Sequence, residues 1–213
     1  MVFRDSGTPK EDSMTLDEIR KEIDAIDPAL RELLLKRLDC SREVARVKLA
    51  AGETNVYRAD REAAILARLS EGVPAEKLPS YLSVVRRIME ASRFYQYSLM
   101  YERLSAGTAR PGEAGTEAYH DRTASASPCA VERGIVHAAP LRVSFRLPDR
   151  AGALASLLGF IADMGVSLQD LKMLGRSGEQ VSFMLETKPI ANPALCAKLV
   201  FVLERETQDF IIM

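Results

Sequence analysis

The chain has few of the side chains on which metal and nucleophilic chemistry depend. Only two histidines occur in 213 residues, His120 and His137, both in the middle segment, which argues against a histidine metal centre or a histidine-based catalytic triad. The three cysteines, Cys40, Cys129 and Cys196, are scattered and odd in number, fitting neither a disulfide framework nor a clustered metal site. Charge of one sign is also lacking. A formal net charge of −1 makes a nucleic-acid-seeking surface a poor reading. No apolar run is long enough to span a bilayer, and the opening MVFRDSGTPKEDSM has no signal-peptide core, so the expectation is a cytoplasmic protein that engages no membrane.

What is present is a set of polar and cationic residues on helical faces that should bury hydrocarbon. From Thr15 to about Ala50, Ile19, Ile23, Ile26, Leu30, Leu33 and Val44 recur at steps of three and four, predicting one long helix with a buried stripe. Arg37 and Lys48 fall on that stripe. They lie about three turns apart on one face, roughly 16 Å by helical rise, so their side chains can converge on one ligand. A buried pair of cations asks for an anion. Arg20 would lie about 40 Å from Lys48 and, if functional, would serve a partner's site.

Thr15 with Glu18 reads as a capping box, and Pro28 predicts a mild kink or a division into coaxial pieces. A short second helix starts near Asp60 and carries Arg61, Glu62, Ile65, Leu66 and Leu69; Gly72 and Pro74 end it. The third, from about Pro79 to Leu104, has an apolar face of Leu82, Val85, Met89 and Leu99 into which Ser92 and Gln96 project. Residues 105–140 have a linker composition. Beyond Leu141, strand, helix, hairpin about Ser177 and Gly178, a helix opened by Asn192, and a last strand give the order βαββαβ, the split ferredoxin-like unit. The expected organisation is a loose segment 1–14, an all-α three-helix domain 15–104, a flexible linker 105–140 and an α+β domain 141–213.

The first half resembles the all-helical chorismate mutases over about Leu16 to Met100, through LDEIRKEIDAID, LLLKR, VARVK, VYRADREAAIL and the Ser–x–x–x–Gln pair in ASRFYQ. The resemblance implies an intertwined homodimer that converts chorismate to prephenate without a cofactor, in phenylalanine and tyrosine biosynthesis. It implies Arg20 donated across the dimer, Arg37 and Arg61 on substrate carboxylates, Lys48 and Gln96 at the ether oxygen, Glu62 on the ring hydroxyl and Ser92 near a carboxylate. Arg58 stands where some members of the family carry an acidic residue.

The second half, with Asp149–Arg150–Ala151–Gly152–Ala153–Leu154 between strand and helix, resembles the ACT domain from about Leu141 to Met213. That resemblance implies an amino-acid sensor, naturally for an aromatic amino acid, with Gly152, Ala153, Leu154 and Ser167 as candidate contacts. The Glu-Ser-Arg-Pro motif of phenylalanine-sensing relatives is replaced here by Lys172–Met173–Leu174–Gly175. About forty residues between the halves are too few for a dehydratase domain, so no prephenate dehydratase activity is expected.

Each residue also has a plainer reading. A helical arginine commonly snorkels, Ser92 can bond a backbone carbonyl of its own helix, Glu62 suits a helix N-terminus, and Gly152 can be a simple turn glycine in a module that only assists dimerisation. Two rivals stay open: an isochorismate pyruvate-lyase on the same scaffold, and a non-catalytic amino-acid-sensing protein.

Overall fold

The computed structural model describes residues 14–107 and 138–213, with the backbone of two short strands, β1 (Val131–Glu132) and β2 (Ile135–Val136), paired antiparallel. His120, Cys129, His137, most of the segment 1–14 and most of the assigned linker lie outside the described residues. Three helices come first: α1 (Leu16–Ala50), α2 (Ala59–Ser70) and α3 (Leu78–Gly107). They are followed by β3 (Arg142–Pro148), α4 (Ala153–Asp163), β4 (Leu168–Ser177), β5 (Gln180–Thr187), α5 (Pro193–Glu206) and β6 (Gln208–Ile212).

The chain divides into two compact units, Met1–Cys40 and Ser41–Met213. The described part of the first unit is helical. Its start is the expected capping box: the Thr15 backbone amide and hydroxyl both donate to Glu18 Oε2 at 2.7 Å, and the Glu18 amide donates back to Thr15 Oγ1 at 3.3 Å. Pro28 lies inside α1 without ending it. The expectation of a buried stripe is corrected here, because Ile19, Ile23, Ile26, Leu30 and Leu33 are 42–64% exposed. Further along the same helix, in the second unit, Val44 is also exposed, at 43%. The apolar period is a true helical signal, but among the described residues it stays exposed.

In the second unit a four-stranded sheet of order β4-β5-β3-β6 is antiparallel throughout, which is the strand order of a split βαββαβ unit. Strand alternation sends Val143, Phe145 and Leu147 of β3 and Val181, Phe183 and Leu185 of β5 into one core with Leu157 and Ile161 of α4 and Leu199 and Leu203 of α5. Phe145 and Phe183 are register partners, their ring centroids 5.8 Å apart. The β4–β5 hairpin turns through Gly178 at φ 58°, where a side chain would be strained. Asn192 caps α5 by accepting from the amides of Ala194 (3.0 Å) and Leu195 (3.3 Å), and Pro193 occupies the first turn, where its missing donor costs nothing.

A second core joins the helical stretch to the sheet-bearing one. Ala45 at the end of α1, Val56, Tyr97 and Met100 of α3, Phe160 of α4, and Phe201 and Val202 of α5 are all buried together. Phe94 stacks on Phe160 at 6.0 Å, and Tyr97 and Tyr101 meet Phe201 edge-on at 6.3 and 5.8 Å. At the rim, Arg87 of α3 spans Gly159 to bond both Asp163 oxygens at 2.7 and 2.8 Å. A Cβ on Gly159 would come within 2.9 Å of the Arg87 guanidinium, so the missing side chain lets the cation lie close to α4.

Candidate functional site

Two of the residues expected to act lie in the first unit. Arg20 is exposed and pairs with Asp17 of its own helix at 3.3 Å, the plainer reading for a surface arginine. Arg37 is half-buried on α1.

The other five lie in the second unit. Lys48, in the last turn of α1, donates through Nζ to the Asn55 carbonyl at 2.8 Å, which ties the lysine to the loop before α2. That loop is anchored at its next residue, where the buried Val56 amide donates to Tyr97 Oη at 3.3 Å. Arg61 and Glu62 enter with the first turn of α2; Arg61 is exposed and the Glu62 side chain is 24% exposed. Arg58, at the N-cap, pairs with Asp60 at 3.2 Å, and its hydrogen bond with Asp60 raises its pKa.

On α3 both expected residues are buried. Ser92 Oγ donates to the Ile88 carbonyl at 2.8 Å, the back-bond expected of a serine inside a helix. Gln96 Nε2 donates to the Ser92 carbonyl at 3.2 Å, while its Oε1 is buried without a hydrogen-bond partner. A buried amide with an unused acceptor and one remaining N–H has bonding capacity in reserve.

Sequence reasoning missed the centre of this arrangement. Arg93 is buried, and each of its three nitrogens faces a different element: Nη1 bonds Glu62 Oε1 of α2, Nη2 donates to Ser156 Oγ of α4 at 3.2 Å, and Nε lies 3.4 Å from Glu206 Oε1 of α5. Its guanidinium carbon sits 4.8 Å from the Tyr57 ring centre and 5.4 Å from that of Phe160. Burial opposes its charge, yet the neighbouring carboxylates of Glu206 and Glu62 prevail and raise its pKa. Burial also raises the Glu206 pKa, against the pull of Arg93 and of a hydrogen bond with Tyr97. The Tyr97 hydroxyl is pushed up as well, chiefly by burial. The overlooked signal was the one that singled out Arg37 and Lys48: Met89, Arg93 and Tyr97 recur at steps of four, placing an arginine on a buried stripe.

The turn before α4 approaches the same region. Arg150 Nη2 donates to Tyr57 Oη at 2.6 Å. Gly152 is the N-cap of α4 at φ 84°, and a Cβ there would meet nothing within 4 Å, so backbone conformation and not close packing requires the glycine. Ala153 is buried, Leu154 partly buried and Ser167 exposed, and the Ser167 carbonyl accepts from the Lys188 amide at 2.8 Å. Among the described residues no cluster of metal-ligating side chains occurs, and no helix is long and apolar enough to cross a membrane.

Comparison with known proteins falls on the helical part. Residues 19–97 match the family model described as chorismate mutase type II. A curated relative, the T-protein of Enterobacter agglomerans, is 39% identical over 79 residues, 36% of this chain and 21% of that protein. The chain thus spans about a fifth of that relative's length. A solved structure titled "GqqA- a novel type of quorum quenching acylases" aligns at 21% identity with a TM-score of 0.32, over 38% of this chain and 44% of the other. The similarity to chorismate mutase type II thus covers residues 19–97 of the 213.

Proposed function

We propose that this protein is a chorismate mutase that acts as a homodimer, with its βαββαβ half serving as an ACT-type regulatory module. The observation that carries the reading is the agreement between the family match over residues 19–97 and the presence within it of Arg20, Arg37, Lys48, Arg61, Glu62, Ser92 and Gln96.

The chemistry suits those residues. Rearrangement of chorismate to prephenate is unimolecular and needs neither a nucleophile nor an obligatory proton transfer. A protein accelerates it by holding the compact reactive conformer and by stabilising negative charge that grows on the ether oxygen. Arg37 and Arg61 offer forked donors for the two carboxylates. Lys48 brings a compact charge to the ether oxygen, and the Gln96 amide can add a second donor there. Glu62 accepts from the ring hydroxyl. The exposed stripe of α1 supports a dimer in which a second copy covers it, and Arg20 then serves the partner's site.

The strand order and the positive-φ Gly152 at the start of α4 support the ACT reading of the second half, whose effector is an aromatic amino acid bound about Gly152, Ala153, Leu154 and Ser167. A non-catalytic sensing protein is the second reading, favoured by one observation: Glu62 Oε1 is already occupied by Arg93.

The test is chorismate consumption by the purified protein with identification of the product, repeated with phenylalanine, tyrosine and tryptophan. Prephenate is the expected product. Pyruvate with salicylate from isochorismate would indicate a lyase instead, and no turnover under any condition would transfer the reading to the sensing protein.

A further inference from the structure

The feature of the second unit that the proposed chemistry leaves unused is the buried guanidinium of Arg93. An arginine shut away from water is held by whatever its nitrogens meet, because any rotamer that abandons a partner leaves an uncompensated buried charge. Two of the three partners of Arg93, Ser156 and Glu206, belong to the C-terminal half. Ser156 accepts a hydrogen bond from Nη2, the charge of Glu206 lies 3.4 Å from Nε without hydrogen-bonding it, and Phe160 of α4 lies 5.4 Å from the guanidinium carbon, so together they restrain the guanidinium. With Nε and Nη2 directed at that half, Nη1 is left pointing at Glu62. Glu62 is a first-turn residue of a short helix, and the orientation of its carboxylate is set by this contact. Arg93 takes Oε1, which leaves Oε2 to accept a hydrogen bond from a bound ligand.

We propose that Arg93 is a positioning residue for Glu62, held by Ser156 and Glu206, so that the C-terminal half is part of the frame on which the substrate's ring hydroxyl is bound. The proposal rests on the mutase reading of the site. It gives the contact between α3, α4 and α5 a role in ground-state binding: movement of α4 or α5 changes the direction in which Glu62 is presented. A second contact runs beside it, because Arg150 of the turn before α4 bonds Tyr57, whose ring lies 4.8 Å from the Arg93 guanidinium carbon.

The experiment is steady-state kinetics on the full chain with chorismate, for wild type, Arg93→Met, Ser156→Ala, Glu206→Gln, Glu62→Gln and the double variant Arg93→Met/Glu62→Gln, each with a thermal melt. Arg93→Met is expected to raise KM about tenfold with kcat changed less than about threefold, since a hydrogen bond to a charged group is lost from binding and not from the bond-breaking step. Ser156→Ala and Glu206→Gln, both remote from substrate, should raise KM in the same sense by smaller factors. In the Glu62→Gln background Arg93→Met should add nothing, because it acts through that carboxylate.

Three results overturn the proposal while the mutase reading stands. One is an unchanged KM in all three positioning variants whatever their melting temperatures, which makes the network merely structural. Another is full additivity of Arg93→Met and Glu62→Gln, which makes Arg93 a direct ligand. The third is a loss confined to kcat. Absence of turnover in the wild type removes the mutase reading and this proposal with it.

Discussion

At the scale of single residues, the candidate site divides between side chains that the sequence singled out and one that it did not. Arg37 and Lys48 could be named because a helical repeat fixes which positions share a face, and a charge on an apolar face is a physical anomaly whatever surrounds it, whereas Glu62 was indicated by the resemblance alone. Arg93 presented the same anomaly, but it sits beside Ser92 in the chain, and its partners are 31, 63 and 113 residues away, beyond any local pattern. For Lys48→Ala, turnover of chorismate is expected to fall by at least about a hundredfold, on the scale of losing one donor to developing charge, with the circular dichroism of the helices unchanged; wild-type-like rates would remove the lysine from the chemistry.

Glu206 allows a prediction on pH. Its folded pKa is raised above the ordinary value of 4.5, chiefly by burial, so the native state holds the proton more tightly than the unfolded chain does. The stability this contributes is present below pH 4.5 and is lost as pH rises through the raised folded value. Glu206→Gln should therefore gain in melting temperature relative to wild type between pH 4.5 and pH 8, as followed by paired thermal melts; a difference independent of pH would mean that Glu206 is ionised alike in both states.

At the scale of elements, the helices and strands followed their periods closely. The capping box at Thr15 and the Asn192 cap are local chemistry, and both could be placed from three or four residues of sequence. What periodicity could not tell was which surface covers a stripe. On α1 it marked Ile19 to Leu33 as interior, whereas they are exposed among the described residues. In the proposed dimer that face meets a second copy and Arg20 crosses to the other site. Arg20→Ala and Lys48→Ala variants, each inactive alone, should on mixing and refolding recover about a quarter of wild-type activity, because half the dimers are mixed and each of those has one intact site. Mixed dimers demonstrated by mass but without activity would place Arg20 in its own subunit's site or in none.

At the scale of the whole chain, the sequence showed two compositions and a stretch between them, but not that α3 and the βαββαβ half would share a core. The reason is that Tyr97, Met100, Phe160 and Phe201 each look like ordinary core residues of their own element; only the fold reveals that they bury one another. Removing residues 138–213 would expose Tyr97 and Met100, both fully buried, at a cost of roughly 3–6 kcal/mol from those two side chains. The helical fragment is accordingly expected to melt well below the full chain or to aggregate, as judged by calorimetry and light scattering; an equally stable fragment would show that this shared core adds little.

One consequence concerns inheritance. Along α3, Ser92 and Gln96 are the proposed ligand contacts, and Arg93 and Tyr97, each one position further and about 100° around the helix, are the residues clasped by α4 and α5. The two sets cannot be altered independently. A substitution in α5 that changes the volume beside Tyr97 would turn the helix that carries Gln96, so drift in the C-terminal half has to be matched by compensating changes in the helical one, and exchanging either half with that of a relative should fail unless the residues at 93, 97 and 206 travel together.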